Sequence, residues 1–152
     1  MGETLEKAFS AAKHYCAYQE RCHSEVRKKL YSLNLGKKDV ETVITNLIEE
    51  NYLNEERFAI AYARGKFRMN QWGKIKIAAS LNQRKISAYC IRKALAAINE
   101  ADYQKTFTTI AGKKLQSLGS EKNIFIRKRK LRDHLLQKGY EAGMINEWLK
   151  MI

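Results

Sequence analysis

Apolar residues recur along this chain at spacings of three and four, almost from end to end, and no stretch alternates convincingly with period two. The pattern predicts nine helices, at about 4–20, 24–34, 38–50, 54–69, 73–84, 88–98, 100–117, 121–138 and 142–151. Residues able to cap free amides precede four of them: Ser24, Asn54, Ser87 and Ser120. Asn54 is followed by Glu55 and Glu56, two negative charges where the helix dipole favours them. Gly36 and Gly139 mark expected stops.

The nine helices fall into a repeat. Offsets of 51 and then 54 residues align six apolar triplets: Val26/Ile77/Leu131, Leu30/Leu81/Leu135, Leu35/Ile86/Tyr140, Val40/Ile91/Ile145, Ile44/Leu95/Leu149 and Leu47/Ile98/Ile152. In each unit the first two positions lie four apart on one helix, the third falls in a turn, and the last three follow i, i+4, i+7 on the next helix. This is the apolar seam of a helix hairpin. A leading helix completes each unit, with Phe9 and Ala12, then Phe58, Ala59 and Tyr62, then Phe107, Ile110 and Ala111. The expected fold is all-α: three tandem three-helix repeats, 1–52, 53–99 and 100–152, forming an elongated, curved array. Modules this small have marginal cores, so neighbours are expected to share contacts.

Composition agrees with that class. Among 152 residues there is no proline, which a loop-rich or β-sandwich chain would use in its turns. Three cysteines make no even disulfide framework, so a reducing cytosol is expected. The opening MGETLEKAFS, with Glu3 and Glu6, does not read as a signal peptide, and no run approaches the ~20 apolar residues of a membrane span.

Charge narrows the function. Lys and Arg number 29 against 16 Asp and Glu, a net charge of +13. Residues 1–51 are balanced, and no acid occurs from Arg57 to Asn99, a window holding ten cations. Such one-sided charge points to a polyanionic partner, most simply nucleic acid. Within the window Arg57, Arg64, Lys66, Arg68, Lys74, Lys76, Arg84 and Lys85 are candidate phosphate contacts. Arg64 and Arg68, at i, i+4, share a helix face. Trp72 sits between that pair and Lys74 and Lys76, either as a stacking platform or packed into the joint between helices. A second cluster, Arg127, Lys128, Arg129, Lys130 and Arg132, surrounds most of a helix turn, so at least two of its cations face solvent, and a nucleic-acid or acidic-protein contact is expected there.

Catalytic chemistry finds no comparable support. Cys22 and His23 are adjacent, and no second ligand pair follows at zinc-finger spacing. Glu49–Glu50 and Glu55–Glu56 are neighbours pointing about 100° apart on a helix, which is no acid/base dyad. There is no glycine-rich phosphate loop. Neither an enzyme nor a bound cofactor is expected.

Several motifs resemble a known family. Tyr15-x-x-Tyr18-x-x-Arg21-x-x-Ser24, followed by Val26, Arg27 and Leu30, is similar to the opening motif of the RecX family of bacterial recombination regulators. Asn51-Tyr52-Leu53-Asn54-Glu55-Glu56-Arg57-Phe58-Ala59-x-x-Tyr62 resembles that family's junction motif. Gly73 to Ile77, Leu81, Lys85-Ile86, and Leu135-Leu136-x-Lys138-Gly139-Tyr140 continue the likeness over nearly the whole chain. Trp72-Gly73-Lys74 departs from the family's commoner Gly-Pro, and Arg84-Lys85 from its usual Lys-Gly. The resemblance implies a regulator of the RecA recombinase, expected to inhibit it; the chain is expected to be a cytoplasmic monomer. It implies binding to RecA and to the RecA filament on single-stranded DNA, with suppression of ATPase and strand exchange. The competing expectation is a direct DNA-binding module of helix-turn-helix type without RecA regulation. Its recognition helix should expose base-reading side chains, whereas Lys38 to Val43 carries acids there.

Overall fold

The computed structural model describes residues 2–152, and among them every regular element is helical. The order is α1 (Glu3–Tyr18), α2 (His23–Ser32), α3 (Lys37–Glu49), α4 (Glu55–Asn70), α5 (Lys74–Gln83), α6 (Ala88–Ala96), α7 (Glu100–Ser117), α8 (Ile124–Lys138) and α9 (Ala142–Lys150). They group as three repeats of three helices. Asn54 and Ser87 cap as expected, accepting from the Arg57 and Cys90 amides. Ser24 and Ser120 do not. The start of α2 falls to Cys22, whose partner Glu25 reaches back to the Cys22 N–H, and α8 starts at Asn123, which accepts from Phe125 and Ile126. Gly36 opens α3 instead of ending α2; Asn34 takes the left-handed turn before it, at φ 66°. Gly139 does end α8, at φ 98°, a conformation that a Cβ would strain.

The predicted seam is buried in its first three triplets throughout. In the later ones the second repeat rotates its third helix. Ile91 and Leu95 are half-buried, while Cys90 and Ala94 face the core between them and α4. Small side chains explain the rotation: Ala59 and Ala63 on α4 share one buried core with Cys90 and Ala94 on α6, and these two helices pack most extensively of any pair. Ile152, the last residue of the sixth triplet, lies beyond α9 and is exposed.

Two cores result. One lies inside the first repeat, around Val26, Leu30, Val40, Ile44 and Leu47. The other runs without a break through the second and third repeats, and takes in Cys22 from the first. The accessible surface is 9519 Å², against about 7,900 Å² for a compact monomer of this mass, so the array is elongated.

The second and third repeats meet backbone to backbone. The Gly73 and Ile75 amides donate to the Lys138 and Gly139 carbonyls at 2.8 and 2.9 Å. A Cβ on Gly73 would stand 2.3 Å from the Gly139 carbonyl carbon. Beneath this joint the phenol of Tyr140 donates to the Gln71 carbonyl at 2.9 Å. The Tyr103 phenol accepts from the Lys74 amide at 2.9 Å and donates to the Glu141 carboxylate. Burial and the neighbouring Glu141 hold Tyr103 well above the ordinary phenol range, and the same two causes push Tyr140 up to about 12. Both phenols therefore keep protons that unfolded tyrosines release near pH 10. Above that pH the unfolded state binds fewer protons than the folded one, and stability is lost as pH rises. The thermal midpoint should fall steeply between pH 10 and 12, and Tyr103→Phe should flatten the fall while costing about 1–3 kcal/mol at neutral pH through the orphaned Lys74 amide. A midpoint independent of pH across that window would contradict the assigned bonds.

Beside the buried Cys22, two ion pairs join the first repeat to the second. Arg57 pairs with Glu20 and donates to the Asn51 and Tyr52 carbonyls, and Arg84 lies 3.6 Å from Glu25.

Candidate nucleic-acid interface

The acid-free window meets carboxylates only from outside it. Arg57, Lys74 and Arg84 pair with Glu20, Glu100 and Glu25, so their charges serve the joints between helices. Lys74, a candidate phosphate contact, is half-buried, over the Tyr103 ring at 4.7 Å and 3.2 Å from Glu100. Hydrogen bonds from Gln104 and Lys74 hold Glu100 below the usual carboxylate range. Arg64, Lys66, Arg68, Lys76 and Lys85 have no ion-pair partner among the described residues. Arg64, Arg68 and Lys85 are exposed. Lys85 stands in the turn after α5, at φ 62°.

What the fold assembles from these is a ladder of alternating cations and rings. The Arg84 guanidinium lies over the Tyr62 ring at 5.0 Å, and the Lys66 ammonium stands 5.6 Å from the same ring. Lys66 also stands 5.0 Å from the Trp72 ring, and Lys76 stands 4.7 Å from it. The ladder thus reads Arg84–Tyr62–Lys66–Trp72–Lys76. The half-buried Trp72 ring packs against the shared core, as the packed alternative expects, and also carries two ammonium groups. Tyr62 is fixed from behind by a hydroxyl hydrogen bond with Ser80. Sequence spacing picked out Arg64 with Arg68, on the neighbouring face of α4, but not Tyr62. The i, i+4 relation of Tyr62 and Lys66 was the available signal.

The second cluster divides by the faces of α8. Arg127 turns back to the Glu121 carbonyl and Lys130 pairs with Glu121 at 3.7 Å, so both bind the α7–α8 link. Lys128, Arg129 and Arg132 face an open groove of about 550 Å³ between α8 and α9. The basic residues therefore form two surfaces, one on the second repeat and one on the third.

Elsewhere, ordinary structure accounts for the reactive groups. All three cysteines are free and buried, and burial raises the Cys16 and Cys90 thiols above their ordinary range. Burial also lowers His23 and, with Lys114 and Lys138, His134, so both imidazoles favour the neutral form. No cluster of three or more metal-ligating side chains occurs among the described residues, and no helix there is long and apolar enough to cross a membrane.

Comparison with known proteins sets this geometry in a family. The model of the second three-helix domain of RecX matches residues 54–95, and that of the third matches residues 100–149. The chain is similar to the regulatory protein RecX of Bacillus cytotoxicus, 29% identical over 145 residues, covering 94% of this chain and 53% of the relative. It is 24% identical over 146 residues to that of Oceanobacillus iheyensis, again covering 53% of the relative. The chain thus spans about half the length of these curated relatives. The crystal structure of RecX from Lactobacillus salivarius superposes with a TM-score of 0.86 and 25% identity, over 100% of both chains. Two successive family domains, matched in order over more than half the chain and folded as triples of helices, show that it belongs to the RecX family.

Proposed function

We propose that this chain regulates a RecA-type recombinase in the cytoplasm, as a monomer that binds RecA and its filament on single-stranded DNA and suppresses ATPase and strand exchange. The repeats 1–52, 53–99 and 100–152 are the units laid along the filament. The observation that carries the nucleic-acid part is the ladder from Arg84 to Lys76. Phosphates find unpaired ammonium groups there, and rings are present between them. The RecA part is carried by the family name of the relatives. Regulation of this kind works by differential binding: a ligand that prefers one filament state shifts the population toward it, with no turnover of its own and no cofactor.

The test is RecA ATPase on single-stranded DNA with and without this protein, together with direct binding to the DNA. Changing Arg64, Lys66, Arg68 and Lys76 together to Gln should lower the salt slope of binding by roughly 0.7 for each phosphate contact removed. The loss should be nearly independent of base sequence, since phosphates carry no base identity. Suppression of the ATPase should weaken in parallel. Wild-type binding and suppression in this variant would make the ladder a solvated face. DNA binding without any effect on RecA would favour a direct DNA-binding module instead. That second reading gains nothing from α3, where Glu41 is paired with Arg27 at 3.0 Å rather than free beside a groove-reading surface.

A further inference from the structure

The α8–α9 groove has a feature that the charge pattern alone does not suggest. At its mouth stands Phe125, 81% exposed, in the first turn of α8. Phe125, Lys128, Arg129 and Arg132 are spaced i, i+3, i+4 and i+7, which puts one ring and three cations on a single helix face. Asn146, Leu149 and Lys150 of α9 form the opposite wall. No carboxylate lines the groove. Arg132 donates to the Asn146 side chain at 3.0 Å, and Lys150 leans on Glu147 at 3.2 Å in an exposed helical pair of the weakly coupled kind. Lys128 and Arg129 have no ion-pair partner among the described residues.

We propose that this groove is a second single-stranded nucleic-acid subsite, in which a base stacks on Phe125 and successive phosphates pair with Lys128, Arg129 and Arg132. The proposal rests on the nucleic-acid part of the reading above, but on a separate surface and on a residue that reading does not use. Two observations select a nucleotide strand over an acidic peptide. A peptide needs a pocket in which to bury an apolar anchor, and the one apolar residue of the opposite wall, Leu149, is already covered by the core. Phe125 instead offers an uncovered ring beside cations, which suits a base plane flanked by its phosphates. The strand must be single, because a paired base hides its faces in the stack.

The experiment compares a labelled oligothymidylate with an abasic strand of the same length, by fluorescence anisotropy on the full chain. Phe125→Ala should weaken binding of the oligothymidylate about five-fold or more. Binding of the abasic strand should stay at the wild-type level. Lys128→Gln, Arg129→Gln and Arg132→Gln together should weaken both strands and reduce the salt slope by roughly 0.7 per lost contact. Far-UV circular dichroism checks that each variant keeps its helices. Wild-type affinity of Phe125→Ala for both strands, or equal loss on both, would overturn base stacking. So would polyglutamate competition that depends on these three cations while strand binding does not. If the groove variants change nothing and the ladder variant still weakens both strands, the groove proposal fails and the proposed function stands.

Discussion

Replacing Gly73 by alanine should destabilise the second and third repeats by roughly 3 kcal/mol or more. The added methyl would meet backbone, not a flexible side chain: the Gly139 carbonyl carbon and oxygen lie 2.3 Å from it and the Tyr140 nitrogen lies 2.5 Å away. Relief requires the two turns to separate. Separation would stretch the Gly73 and Ile75 hydrogen bonds and pull the Tyr140 phenol away from Gln71. Urea unfolding of the variant should show a lowered midpoint, alongside a control at Gly112. That glycine lies in α7 with nothing within 4 Å of a built Cβ, and there alanine should stabilise by about 0.5–1 kcal/mol. Equal midpoints for Gly73→Ala and the wild type would mean that the two turns do not touch in solution.

Leu81→Ala should cost ~2–5 kcal/mol, from lost apolar burial plus the cavity left behind. Leu81 is fully buried, on α5, in the core that joins the second and third repeats. It is the middle member of a triplet whose other two members, Leu30 and Leu135, are also fully buried. A loss within ~0.5 kcal/mol, the range of surface substitutions, would mean that the seam points outward.

The seam was legible because helical periodicity and a repeated length each constrain the same positions. Val26, Ile77 and Leu131 could be found without coordinates, and each is fully buried. The register slipped on α6, where Cys90 and Ala94 displace Ile91 and Leu95 from the core. Side-chain hydrophobicity favours the larger residues there, but the closeness of α4 favours the smaller ones. Helix starts were less readable. Ser24 and Asn123 compete with neighbours of similar capping chemistry, and the outcome depends on where the chain enters the helix. The Gly73–Gly139 approach had no local signal, because its two turns are far apart in the chain and each is satisfied only by the other. The ladder was half-legible: charge placed its cations, but contacts among α4, the Trp72 link and α5 decide which rings they reach.

The glycine joint has a thermodynamic consequence for the two basic surfaces. A pair of sites joined by a loose linker must be brought into alignment at each encounter, and that lost freedom is subtracted from affinity. Here the alignment is settled during folding, by two amide hydrogen bonds and the phenols beneath them. On the proposed reading, a strand held at one surface would meet the other at a high effective concentration, with little orientational entropy left to lose. Gly73 and Gly139 would then set affinity through preorganisation, although both are buried and neither offers a side chain to a ligand.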